Sequence, residues 1–338
     1  GLCYLLVNST NEFLVEYNTL EENSRYKLTG FSGSTGEALV TPDKIYLFVD
    51  GRYHIQADNE VDHEKVTVVK LQTGQKYLDE LVNLIPENEF LGIFAKKNSQ
   101  KKYEILSQKR QIKLLNFDPI DSENIPNYED KNVKIDIKYT GLSVDEKISK
   151  ISSKLSEDEA FYVTDLDEVS YLFNMRNFSQ KFSAKIRAKA LIFKDKFELF
   201  TQGNLSKLEQ ILKEINKKVY VDKNSINAYD FELLKNKACE IKENPIAEMK
   251  AQKNDAELSH LIDAFKRTDK AVSATRDYIY ENDNLSEYDI AKYLEEQFKA
   301  QGAIGLSFNS IVAKDKNSAL AHYSKSSKDE IVKDGSLV

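Results

Sequence analysis

Four histidines occur in the chain, at positions 54, 63, 260 and 322, and they bound the chemistry it can carry. No two have the i, i+4 spacing with which a helix presents paired imidazoles to one metal ion. His63 lies in an acidic loop and His260 on the polar face of a helical segment, so both read as surface residues. His54 follows "DGRY" (50–53), a run that ends an alternating strand and offers Arg52 as a candidate substrate contact. A turn glycine beside an arginine that bridges domains explains the same run equally well. His322 stands apart. It sits in "DKNSALAHY", a loop of small and polar residues after a segment read as a strand, "LSFNSIVA". Loops on a rigid scaffold are where functional side chains are presented. On composition alone, a structural histidine is the favoured reading.

"GFSGSTG" (30–36) is the one glycine-rich loop. It is not a nucleophile elbow, because Ser34 stands where G-x-S-x-G needs glycine. Nor is it a phosphate cradle, which follows a strand and opens a helix, whereas this loop precedes a strand. A tight structural turn is the better reading. The two cysteines, Cys3 and Cys239, form neither a CxxC metal pair nor a disulfide framework, and read as small buried apolar residues in a reducing compartment.

Whatever these residues do, the elements that position them come from a duplication. "ALVTPDKIYLFVD" (38–50) and "ALIFKDKFELFTQ" (190–202) share Ala, Leu, Asp, Lys, Leu and Phe at the same places. Each reads as a hairpin turning at Asp43-Lys44 or Asp195-Lys196. A helical segment with an aromatic turn precedes each, "SRYKLTGF" and "VSYLFNMRNF". A strand and a helix start follow each, with Lys-Asn-Ser in "LGIFAKKNSQKKYEIL" and again in "KVYVDKNSINAYDFELL". Three matches in one order imply two related α/β domains, 1–125 and 140–243, each a mixed sheet flanked by helices. The second opens on Ser143 and Glu146, a capping box. From 244 to 338 the character changes. A long helix carries Leu258, Leu261, Ile262, Phe265 and Val272 on one face, and a second runs from the Ser286/Asp289 cap to Gly302. Two helices and one strand do not close a core, so this region reads as the opening of a larger domain, with "KDGSLV" starting its next strand.

At 338 residues, the chain is long enough for two or three domains, and 41% hydrophobic residues suffice to pack them. A net charge of −7, with lysines interleaved among acids, argues against a nucleic-acid surface. No run approaches the roughly 18 apolar residues of a membrane span. The cytoplasm is the expected compartment.

These stretches resemble a known family. "RYKLTGFSGSTGEALVTPDKIYLFVDGRY" is similar to the first domain of Xaa-Pro aminopeptidases (aminopeptidase P), and "YTGLS" with "TDLDEVSYLFNMR" to the second. "NPIAEMKAQKNDAEL" resembles the entry to that family's catalytic domain, and "SFNSIVAKDKNSALAHY" the strand and loop bearing its first active-site histidine. The similarity runs in order from 1 to 338. It implies the three-domain form: two creatinase-N-like α/β domains, then the beginning of an α+β pita-bread metallopeptidase domain. It implies release of the N-terminal residue from peptides with proline in second position, a bond whose missing N–H and fixed φ defeat strand-binding peptidases.

The resemblance places two divalent metal ions, usually manganese, in the full-length protein, with their ligands beyond Val338. No metal ligand and no bound cofactor are expected in the chain itself, which is expected to be inactive alone. His322 carries over as a catalytic and substrate-binding residue beside the metals, not as a ligand. A proline-containing peptide and a second copy of the chain in a homodimer are the implied partners. Two departures affect the groove contacts. Asn11 and Phe13 replace a polar pair, and the Asn-Pro expected before the second-domain strand is missing from "KFSAKIRAKALIF". A dipeptidase or creatinase-like amidinohydrolase, and a non-catalytic peptide- or histone-binding homologue, remain alternatives on the same scaffold.

Overall fold

The computed structural model describes residues 2–120 and 129–338. The chain divides into two compact units, one of 1–135, 142–177 and 185–252, the other of 136–141, 178–184 and 253–338.

The first unit holds two mixed sheets. One contains β1 (Tyr4–Val7), β2 (Glu37–Val40), β3 (Ile45–Val49), β4 (Val66–Lys70), β5 (Phe90–Phe94) and β6 (Gln111–Leu115), in the order β4-β3-β2-β1-β5-β6. A ribbon of β7 (Asn132–Lys134) and β9 (Met175–Asn177) stands beside the other sheet. That sheet contains β8 (Glu159–Val163), β10 (Ala188–Phe193), β11 (Phe197–Thr201), β12 (Lys218–Val221) and β13 (Ala238–Glu240), in the order β11-β10-β8-β12-β13. The two orders coincide once β4 is set aside as an extra edge strand.

The duplication is visible at the level of register. Ala38 pairs with Leu47 and Val40 with Ile45 in the first hairpin, as Ala190 pairs with Leu199 and Ile192 with Phe197 in the second. Both hairpins continue antiparallel onto β1 or β8, which then pairs parallel with β5 or β12. A one-residue slip would have put every side chain on the wrong face, so matching registers mean matching cores. Leu39 and Leu191, at equivalent positions, are both fully buried. All six residues of β10 are buried, because helices cover both faces of its sheet.

The equivalent strand-to-helix turns meet each other. Ser99 caps the helix Gln100–Ser107, and Asn227 caps Ala228–Leu234. Their backbones form an antiparallel bridge, with Gln100 N–H donating to Ile226 O and Ala228 N–H to Asn98 O, both at 2.9 Å. The two domains are thus joined through the same element of each, in a locally two-fold manner. The shared Lys-Asn-Ser runs are not in register, since Ser99 is itself the cap whereas Ser225 lies two residues ahead of its cap.

The capping box at Ser143 and Glu146 forms as the sequence predicts. The helix after Pro245, Pro245–Ala251, packs with the second α/β domain, and Ile246 is buried among Ile148, Val169 and Tyr171. Asn244, which caps that helix, also donates to Glu168 Oε1 at 2.6 Å. Burial, with the Asp165 charge nearby, pushes the Glu168 carboxyl up to about 7 despite the Asn244 bond. The folded state therefore holds a proton that the unfolded chain releases, and stability falls as pH rises from the ordinary carboxylate range towards 7. Glu168→Gln should remove that slope. Urea midpoints at pH 5 and pH 8 are the check: the mutant's advantage must be larger at pH 8, and an equal difference at both would refute the assignment.

In the second unit the helices Asp255–Glu281 and Glu287–Ala300 pack through stacked Tyr278 and Tyr293 rings, 3.9 Å between centroids. Two sequence expectations fail here. Residues 306–313 are irregular rather than a strand, with only Val312 and Ala313 buried, and 333–338 form a turn. A strand needs a neighbour for its backbone groups. Among the described residues this unit offers only the isolated bridge Ser286–Ile331. The apolar face of the long helix is likewise uncovered, with Phe265 67% exposed.

Candidate active site

His322 lies on an exposed turn after the short 3-10 helix Asp315–Ala319. The loop that carries it is built onto the start of the helix Glu287–Ala300. Ser286 caps this helix and forms a capping box with Asp289, as the sequence predicts. The next residue, Glu287, is fully buried. Its Oε1 accepts from Lys314 N–H at 2.6 Å and Asn317 Nδ2 at 2.9 Å. Its Oε2 accepts from the Tyr323 hydroxyl at 2.7 Å and Ser327 N–H at 2.9 Å. Glu287 N–H and Tyr288 N–H donate in turn to Glu330 O and Ser327 O. The first turn of the helix and the loop 314–330 thus satisfy each other's backbone groups.

Burial works to raise the Glu287 carboxyl, but the bonds from Ser327, Tyr323, Asn317 and Lys314 outweigh it and hold it below its usual value. Tyr323 moves the other way, up to about 12, through burial and the adjacent carboxylate. A charged carboxylate facing a neutral phenol is therefore the resting state over the physiological range. This arrangement fixes the backbone on both sides of His322 and leaves its imidazole on the surface, where it can meet a ligand.

The remaining candidates make local contacts. Arg52 is exposed and grips Asp50 in its own turn, Nε to Oδ1 at 3.0 Å and Nη2 to Oδ2 at 2.8 Å. That pairing lowers the Asp50 carboxyl and raises the Arg52 guanidinium. His54 contacts Leu71 O through Nε2, and His63 contacts Asp58 O, each within the first α/β domain. His260 lies against the Tyr139 ring. The glycine-rich loop wraps the buried Arg25 guanidinium, which donates to Gly36 O at 2.8 Å and to Gly33 O and lies against the Phe31 ring. Gly30 ends the preceding helix with φ +77°, and a Cβ at Gly33 would overlap the Phe31 and Tyr53 rings. Loss of solvation brings Arg25 down to about 10 in spite of the acids around it. The loop is a structural turn.

Metal chemistry can be tested against the donors present. Among the described residues, no three His, Cys, Asp or Glu side chains converge to hold an ion. These residues do not fit a two-metal site.

Within the first unit, the α/β domains enclose a cavity of about 260 Å3 lined by Phe13, Glu22, Lys96, Lys97, Asp118 and Arg187. Its walls are locked ion pairs. Arg187 and Glu22 form a buried bidentate pair at 2.7 and 2.6 Å, and Lys97 reaches Asp118 at 2.8 Å. Nearby, Asp230 accepts from Lys189 at 2.6 Å and from the Tyr162 hydroxyl at 2.7 Å. Phe13 is buried under the Lys189 ammonium, and Asn11 Oδ1 accepts from Phe13 N–H at 3.0 Å. Phe13 thus packs against the second domain, whereas Asn11 bonds within its own turn and its buried Nδ2 finds no partner among the described residues.

Sequence reasoning missed Glu287, Asn317 and Tyr323 as parts of the His322 site. Only the Ser286/Asp289 cap and the His-Tyr pair signalled them. Glu22 and Arg187 carried no signal, being 165 positions apart.

The comparisons with known proteins agree with the fold. The Creatinase/Prolidase N-terminal domain is matched twice, over 3–122 and 124–215, and metallopeptidase family M24 over 259–338. A probable Xaa-Pro aminopeptidase P of Coprinopsis cinerea is 26% identical over 96% of this chain and 60% of its own length. Xaa-Pro aminopeptidase 1 of Dictyostelium discoideum is 27% identical over 96% of this chain and 59% of its own. Among solved structures, an X-prolyl aminopeptidase of Caenorhabditis elegans, described as a cytosolic enzyme with a di-nuclear active site, superposes with a TM-score of 0.85 at 20% identity. That match covers 96% of this chain and 60% of the other. The chain spans about 60% of the length of these relatives.

Proposed function

We propose that this chain, a member of the M24 metallopeptidase family with two creatinase/prolidase N-terminal domains, belongs to an Xaa-Pro aminopeptidase. The observation that carries the reading is the pinned His322 loop in the M24-matched segment, following a duplicated pair of α/β domains. His322 would contact the peptide at the Xaa-Pro bond, its imidazole hydrogen-bonding the substrate or the oxygen that gains charge at the tetrahedral stage. Arg52, exposed on the first domain, would be a further substrate contact. Two divalent cations, manganese by resemblance, would belong to the longer protein, held by ligands outside this chain. The α/β domains would limit substrate length and provide the contact of a homodimer in the cytosol. Among the described residues, no helix is long and apolar enough to cross a membrane.

The test is a peptidase assay on the chain and on a form with the length of its relatives, using an Xaa-Pro-Yaa peptide and its Xaa-Ala-Yaa counterpart. The longer form should release the first residue from the proline peptide alone, and the chain by itself should release none. Peptide binding without cleavage by the longer form would instead establish the non-catalytic homologue. Sedimentation of that sample as a monomer at micromolar concentration would remove the dimer from the reading.

A further inference from the structure

We infer that Glu287 is the positioning residue of His322, acting through the loop 314–330 as an ionised clamp. The inference rests on the function proposed above for His322, but its geometry stands on its own. Glu287 lies 35 positions before the histidine and touches no reacting group, yet its carboxylate gathers the loop from both sides of His322. Lys314 and Asn317 approach one oxygen from before the histidine, and Tyr323 and Ser327 approach the other from after it.

Three partners are N–H donors, and the Tyr323 hydroxyl shares its one proton between Glu287 Oε2 and Lys325 O, each at 2.7 Å. Two of the three are backbone N–H groups, which cannot reverse their role. A glutamine would turn its NH2 towards Ser327 N–H or Lys314 N–H, setting donor against donor and leaving buried groups unsatisfied. Only an ionised carboxylate satisfies the set. Its place in the first turn of a 14-residue helix adds the favourable end of the helix dipole. The adjacent residue completes the link, since Tyr323 follows His322 directly and Asn317 Nδ2 also reaches its hydroxyl at 3.2 Å. Loss of the clamp leaves the imidazole chemically intact but free to wander, and misplacement by about 1 Å can cost on the order of 10²-fold in rate.

Two experiments test this, on the chain and on the longer enzyme. In the chain, trypsin cleavage after Lys325 and Lys328 reports opening of the loop. Glu287→Gln should accelerate it roughly tenfold or more, because cleavage follows the open population. Circular dichroism should show the helices retained, and Tyr323→Phe should give a smaller acceleration. If Glu287→Gln unfolds the domain, Tyr323→Phe carries the test alone. Unchanged cleavage in a folded variant overturns the clamp.

In the longer enzyme, Glu287→Gln should lower kcat/KM for an Xaa-Pro peptide roughly tenfold or more. The decisive readout is the pairing with His322→Ala. A residue acting only through His322 adds no further loss once the imidazole is gone, so the double variant should match His322→Ala. Multiplying losses would show that Glu287 acts elsewhere, and would overturn the proposal. If the unmutated longer protein cleaves no Xaa-Pro peptide while Glu287→Gln loosens the loop, the proposed function fails and the clamp stands.

Discussion

His322→Ala, placed in the longer enzyme, should leave the metal content unchanged and lower turnover of an Xaa-Pro-Yaa peptide by roughly 10²-fold or more, the usual cost of deleting one donor aimed at a transition-state oxygen. The expectation follows from where the residue sits. Its imidazole is exposed on a turn whose backbone is fastened by Glu287, so its removal leaves that fastening in place. Nor does it join two further His, Cys, Asp or Glu side chains among the described residues, as a metal ligand would. Elemental mass spectrometry beside steady-state kinetics separates the outcomes. A variant that loses its metals would make His322 a ligand, and one with full activity would make it structural.

The second large effect concerns stability. Glu22→Ala should cost about 3–5 kcal/mol, because it leaves the Arg187 guanidinium buried between the two α/β domains without its countercharge. Arg187 is 3% exposed and both terminal nitrogens bond to Glu22. The pair itself need not stabilise the fold relative to apolar side chains. Charge desolvation offsets much of the Coulomb attraction, so replacing both partners together, Glu22→Ala with Arg187→Met, should recover most of the loss. Urea denaturation of the two variants and the parent measures this directly. A single-mutant loss below about 1 kcal/mol, the level of an exposed ion pair, would sink the idea.

The two effects draw on different parts of the chain, and they differ in how visible they were beforehand. The duplication was legible because it is written in local pattern. Ala38-Leu39 and Ala190-Leu191, the Asp-Lys turns and the aromatic-rich segments before them set hairpins whose register the structure reproduces residue by residue. Helix starts at Ser143, Ser286 and Asn254 were equally open to reading or lie within segments read as helical, since a cap is a contact across three residues. His322 could be singled out from its loop and its resemblance. The strand expected at 306–313 could not be judged in the same way. Its apolar residues suit a strand, but a strand exists only when a neighbour accepts its hydrogen bonds, and that partner is not a property of the segment.

By itself, then, the sequence determined two related α/β domains and the helices that follow them. Only the tertiary structure decided what surrounds these parts. It brought Glu22 onto Arg187, wrapped the glycine loop around Arg25, and put Glu287 beneath the His322 turn. Such contacts join residues from tens to more than a hundred positions apart, so no periodicity or short motif records them. Each buried charge is tolerated only where the fold delivers enough partners, and those partners meet only after the chain has closed on itself.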